Sequence, residues 1–77
     1  MIGIYLIKNN INGKVYIGQS TNIYERWSEH KRIAKNDLTI KYPLYLAMRK
    51  YGIENFTFSI IEECSQELLN EREIYWI

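Results

Sequence analysis

The dipeptide Asn12-Gly13, set between two runs of strand-forming residues, most limits what this chain can fold into. Gly3-Ile4-Tyr5-Leu6-Ile7 precedes it and Lys14-Val15-Tyr16-Ile17-Gly18 follows. Such β-branched and aromatic residues suit a pleated, half-buried surface. Asn-Gly accepts the left-handed backbone of a tight turn, so the two runs are expected to pair as an antiparallel hairpin. The loop is either Asn12-Gly13 alone or the four residues from Asn9 to Asn12. Both choices pair odd positions with even ones. Side chains alternate faces along a strand, so either loop puts Tyr5 and Tyr16 on the same face of the hairpin.

With 77 residues in all, the hairpin belongs to one small domain with a modest core. Asn22-Ile23-Tyr24-Glu25 has the form of a capping box opening a helix. Ile23, Trp27, His30 and Ala34 follow at helical spacing as its inner stripe. Arg26 and His30, four apart, stand one above the other on it. Pro43 suits the first turn of a second helix, whose apolar side is Leu44, Ala47, Met48 and Tyr51, and Gly52 is placed to end it. Phe56, Phe58 and Ile60 alternate with Thr57, Ser59 and Ile61 as a third strand. Ser65 is a candidate cap for a last helix containing Leu68, Leu69, Glu73, Trp76 and Ile77. The predicted fold class is α+β: a small three-stranded, mainly antiparallel sheet flanked by three helices. The sequence stops at Ile77 inside an apolar helical face. The domain, residues 1–77, is therefore expected to be cut short at its C-terminal end or to open a longer protein.

Charge divides along the chain. Residues 1–52 hold nine Lys/Arg against Glu25, Glu29 and Asp37, a net +6, and residues 53–77 hold Arg72 against six glutamates, a net −5. A basic part suits a polyanion, and a nearby carboxylate in the same small domain suits a divalent cation; two solvated faces of opposite sign would look the same. The single cysteine, Cys64, cannot form an internal disulfide and reads as a small hydrophobe. No His/Cys cluster has zinc-ligand spacing. No segment reads as a secretory signal or a bilayer span, so the expected setting is soluble, intracellular and cytoplasmic.

Three groups of residues carry chemistry. Glu73 shares a helical face with Leu69 and Trp76, where an unpaired carboxylate is costly. It must pair with a cation, reach a cleft, or hold a metal. Arg26 offers a planar fork of donors suited to phosphate, and His30 can move protons near neutral pH. Either could equally be an ion-paired or packed side chain. Tyr5 and Tyr16 could turn their phenols to one site from adjacent strands, or could simply pack.

Gly3-Ile4-Tyr5 and Tyr16-Ile17-Gly18 resemble the two triplets that name the GIY-YIG nucleases, in the right order and at a typical separation. Arg26 follows Tyr16 at the interval that family uses, within Glu25-Arg26-Trp27, and His30 follows Arg26 by four, as in several members. Glu71-Arg72-Glu73-Ile74-Tyr75-Trp76-Ile77 resembles the family's metal-binding helix, with Glu73 at the ligand position. Where the repair-type members carry a lysine after Tyr-Ile-Gly, this chain has Gln19, and the family's asparagine beyond the last helix would lie past Ile77. The resemblance spans essentially the whole chain and is strongest to phage-type intron homing endonucleases.

The resemblance implies a DNA endonuclease that cuts one strand per site with one Mg2+ (or Mn2+) ion. The implied catalytic residues are Tyr5, Tyr16, Arg26, His30 and Glu73, with Glu73 the metal ligand. A DNA-recognition domain is expected in the full-length protein, and a monomer is expected. A repair-type or structure-selective nuclease and an inactive nucleic-acid-binding remnant are the alternatives. The residue types themselves fit phosphodiester hydrolysis. The transition state loads charge on phosphate oxygens, which a metal and a bidentate arginine would neutralise. The resemblance assigns Tyr5, helped by His30, to proton transfer and Tyr16 to orienting water or phosphate. A phenol with pKa near 10 is a poor base unless its site lowers it, which a metal and Arg26 nearby would do.

Overall fold

A computed structural model describes residues 1–77. Strand β1 (Gly3–Asn9) and strand β2 (Val15–Ser20) form the hairpin, followed by helix α1 (Ile23–Asn36), helix α2 (Pro43–Tyr51), strand β3 (Phe56–Glu63) and helix α3 (Leu69–Trp76). The sheet order is β2-β1-β3 with both pairings antiparallel, so β2 is an edge strand and β1 is central. This is the predicted α+β class.

The hairpin register lies between the two expected ones. Lys8 pairs with Val15 and Ile7 with Tyr16, and the Gly13 amide donates to the Asn9 carbonyl at 2.8 Å. Asn9 and Asn12 accept from the amides of Ile11 and Lys14 through their side chains. Those bonds stabilise a four-residue turn from Asn10 to Gly13 in place of the two-residue one. Gly13 has φ +77°, which a side chain would strain. The odd-to-even parity survives, so Tyr5, Ile7 and Asn9 share a face with Tyr16 and Gly18.

On that face α1 and α2 enclose the core. Its buried members include Tyr5, Ile7, Ile23, Ile33, Ala34, Tyr45, Met48 and Phe56. The expected α1 stripe holds for Ile23, His30 and Ala34, while Trp27 is half-buried. The Asn22 side chain accepts from the Glu25 amide, as a cap should. In α2 the deepest residues are Tyr45 and Met48, with Leu44, Ala47 and Tyr51 partly covered around them. Arg49 closes the C-terminal end of α1 by donating to the carbonyls of Ile33, Ala34 and Asp37.

Helix α3 crosses the opposite face. Ile4, Gln19 and Glu62 are paired neighbours there. Gln19 donates to Asn70, and Arg72 and Trp76 donate to Glu62. Ser65 opens a short 3-10 turn and makes no side-chain cap, and α3 proper starts at Leu69, which is buried. Trp76 and Ile77, expected on the packing face, are exposed. No helix is long and apolar enough to cross a membrane.

Candidate active site

Both triplet glycines are explained by close approach. A Cβ on Gly3 would run into the Glu62 carbonyl, beside the register shift between Ile4 and Tyr5 where β3 carries an extra residue. The bulge bends the strand as Tyr5 enters the core. A Cβ on Gly18 would lie 2.5 Å from the Tyr5 Cζ and Oη atoms. Gly18 is thus the floor on which the Tyr5 phenol rests. Neither glycine has positive φ, so space rather than backbone conformation demands them.

The Tyr5 phenol is 1% exposed and reaches across to α1. Its Oη lies 2.9 Å from His30 Nε2. His30 Nδ1 lies 2.8 Å from the hydroxyl of Tyr45 on α2. A buried imidazole is therefore held at both nitrogens by phenols from different elements. Burial pushes the Tyr5 hydroxyl up to about 12, reinforced by the neighbouring Tyr16 and opposed by Arg26. Burial, and then the Arg26 charge, push His30 down to about 4. Burial likewise raises Tyr45. The base role expected of Tyr5 needed a lowered pKa. The fold raises it, because removing an anion from water outweighs the nearby guanidinium.

Of the two triplet tyrosines, Tyr16 is the one open to solvent, at 38% exposure. Its ring sits 6.3 Å from that of Tyr5 and 6.0 Å from the His30 ring. Tyr16, Arg26, His30 and Tyr42 to Tyr45 line a cleft of 310 Å³. Arg26 is ion-paired with Glu29, one turn along α1. The structure thus brings Tyr5, Tyr16, Arg26 and His30 together on the α1/α2 side of the sheet.

Glu73 is not among them. Helix α3 carries it on the opposite face, packed over β2 and β1, and no hydrogen bond or ion pair links it to the other four. Four carboxylates are half-buried: Glu29, Asp37, Glu62 and Glu73. Glu29 is held by Arg26, Asp37 by Thr39, and Glu62 by Arg72 and Trp76. Glu73 has no donor at all. A partly desolvated carboxylate without a partner is free to take a cation, and no cluster of His, Cys, Asp or Glu offers a competing metal site. One carboxylate fits Mg2+, which keeps several waters and takes substrate oxygens as further ligands.

Two residues of the site escaped the sequence reading. Glu29 stands three after Arg26, a helical ion-pair spacing. Tyr45 stands three before Met48, so the two share a face of α2, but the stripe through Leu44, Ala47, Met48 and Tyr51 fitted the same period.

The family model described as the GIY-YIG catalytic domain matches residues 1–77. Intron-associated endonuclease 1 of Enterobacteria phage T4 is 38% identical over 77 residues, covering 97% of this chain and 31% of the relative. Probable intron-encoded endonuclease 1 of Neurospora crassa is 34% identical over 65 residues, covering 84% of this chain and 20% of that protein. The chain thus spans less than a third of either relative's length. The solved catalytic domain of the homing endonuclease I-TevI superposes with a TM-score of 0.82 at 32% identity, covering 100% of this chain and 85% of that one.

Proposed function

The chain belongs to the GIY-YIG catalytic-domain family, and from that premise we propose that it is the cutting module of a DNA endonuclease of the homing type. It hydrolyses one phosphodiester strand per site with one divalent ion, Mg2+ or Mn2+, at Glu73. The observation that carries this reading is the cleft in which Tyr16, Arg26 and His30 meet. Arg26 there offers a fork of donors to a phosphate. Glu73, on the far face of the sheet, is reached around β2, the edge strand against which α3 packs. The scissile strand is therefore read as lying along that edge, touched by Tyr16 on one side and Glu73 on the other.

Bound at Glu73, the ion would supply positive charge to the phosphate oxygens and the leaving group. The protein's own groups do the rest. Arg26 orients the phosphate and meets charge as it develops. Tyr16, the exposed one of the two triplet phenols, positions the attacking water. Tyr5 and His30 exchange a hydrogen across their 2.9 Å contact instead of forming a free phenolate. Sequence choice is assigned to other parts of a longer protein. A net charge of +1 lets this domain neutralise few phosphates, and each contributes roughly 0.9 to the salt slope of log affinity. The setting is intracellular, on the DNA of a phage-type or bacterial host.

The test is nicking of supercoiled plasmid by the purified chain with and without Mg2+. Open circles appearing with the metal and not in chelator are expected. A folded chain that leaves the plasmid closed at every metal concentration would overturn the reading.

A further inference from the structure

Tyr45 is not part of the family triplets, and its hydroxyl makes one hydrogen bond, to His30 Nδ1. The direction of that bond can be worked out by following every hydrogen. The Tyr5 hydroxyl is fully buried, and its bonding partner is His30 Nε2. If Nε2 carried the ring hydrogen and donated to Tyr5, the Tyr5 hydrogen would have no acceptor. A buried donor left without an acceptor is destabilising. If Tyr5 donates to Nε2, the ring hydrogen sits on Nδ1 and is donated to the Tyr45 oxygen. The remaining hydrogen, that of Tyr45, then needs an outlet. It has one, because Tyr45 lines the cleft with Tyr16, Arg26 and Tyr42. Only this arrangement satisfies all three groups.

We propose that Tyr45 is a positioning residue that fixes His30 in its Nδ1–H form, so that the bare Nε2 stays turned to the Tyr5 hydroxyl while Tyr45 faces the cleft. The inference rests on the nuclease reading for the effect on rate, but not for the tautomer. The three groups stay neutral, with no phenolate or imidazolium inside, which suits a site that raises the Tyr5 pKa and lowers that of His30. Tyr5 from β1, Tyr16 from β2, Arg26 and Glu29 from α1, and Tyr45 from α2 are the titratable groups around the ring.

The experiment has two arms on the same protein. Long-range 1H–15N correlation at neutral pH reads the His30 tautomer without DNA or metal. The wild type should show a protonated Nδ1 and a bare Nε2. Tyr45→Phe should lose that preference, while Tyr51→Phe, which removes a phenol hydroxyl from the same helix without touching His30, should keep it. Single-turnover nicking in Mg2+ should fall about a hundredfold in Tyr45→Phe, the lower end of what acid–base groups contribute. An Nε2–H ring in the wild type would overturn the assignment with no mutant needed. The expected tautomer with full-rate Tyr45→Phe would overturn the positioning role and leave the nuclease reading intact. A wild type with the expected tautomer that cuts nothing would remove the nuclease reading and leave the tautomer standing.

Discussion

Gly18→Ala should destabilise this protein through one contact, the new methyl against the Tyr5 phenol. The added Cβ would lie 2.5 Å from Tyr5 Cζ and Oη and 2.8 Å from Cε1, about 1 Å inside the roughly 3.5 Å at which carbon atoms meet. Gly18 has ordinary strand φ, so alanine should gain about 0.5–1 kcal/mol from lost chain entropy. Overpacking a buried site costs about 1–3 kcal/mol. The ring cannot yield freely, because shifting it breaks the bond to His30 and strands a buried hydroxyl at about 1 kcal/mol or more. The clash wins, and the net loss should be about 2 kcal/mol, a Tm drop on the order of 10 °C for a domain of this size. Urea unfolding followed by circular dichroism, on a four-protein cycle with Tyr5→Leu, isolates the contact. Leucine lacks all three clashing atoms, so Gly18→Ala should cost little in that background, with a coupling of about 1–3 kcal/mol. An equal cost in both backgrounds would refute the steric account of the Tyr-Ile-Gly glycine.

Glu73→Gln keeps the shape of the carboxylate and removes its charge, so Mg2+-dependent nicking should vanish while the circular dichroism spectrum stays; a folded variant of normal activity would end the metal-ligand assignment. Arg26→Lys replaces the fork by a point charge and should cost about a hundredfold to a thousandfold in single-turnover rate with little change in Tm. Tyr5 at about 12 and His30 at about 4 both fail to titrate between roughly pH 6 and 9, so Tyr5→Phe should lower the rate there without changing the profile's shape. A limb lost in Tyr5→Phe would show that the phenol ionises after all. Stability should follow His30 on the acid side. Its folded pKa is depressed below the unfolded 6.5, so the unfolded chain takes the proton first. Stability is full above about pH 6.5 and drains as pH falls towards about 4, by about 3 kcal/mol. His30→Gln should flatten that slope in urea titrations at the two ends of the window.

The face shared by Tyr5 and Tyr16 was legible because parity does not depend on loop choice. The register itself was not, since the side-chain bonds of Asn9 and Asn12 select a turn that neither simple hairpin loop describes. His30 was visible as an inner residue of α1, but not its two phenol partners. Helical spacing locates a stripe on one element and says nothing of what a second element lays against it. The same gap hid the sheet face taken by α3. The amphipathic pattern around Glu73 predicted a packed side, and the contacts of Asn70, Arg72 and Trp76 with Gln19 and Glu62 decide which face receives it. Two of those three α3 residues are polar, and any periodicity argument assigns them to solvent.

If the proposed reading holds, the burial that keeps Tyr5 and His30 neutral leaves the charge-bearing work to groups at the rim, and Arg26 must be releasable from its partner. Arg26 is held by Glu29, yet both side chains are partly exposed, at 38% and 43%. An exposed pair of this kind is worth about 0–1 kcal/mol, whereas a bidentate phosphate contact is charge-assisted at two donors. On the proposed reading, a phosphate entering the cleft would displace Glu29, and the guanidinium would turn from one partner to the other without unfolding anything. Had Arg26 been paired in the core, breaking the pair would cost about 3–5 kcal/mol, and the fork would serve stability alone. On the proposed reading, the placement of Arg26 at the mouth, one turn from a weak partner, would let the same side chain hold Glu29 when the site is empty and grip the strand when it is occupied. Glu29→Gln should accordingly leave the fold intact and raise affinity for short duplex DNA by a few-fold at low salt, measured by fluorescence anisotropy. Weaker binding in that variant would mean that Glu29 organises Arg26 for the phosphate instead of competing with it.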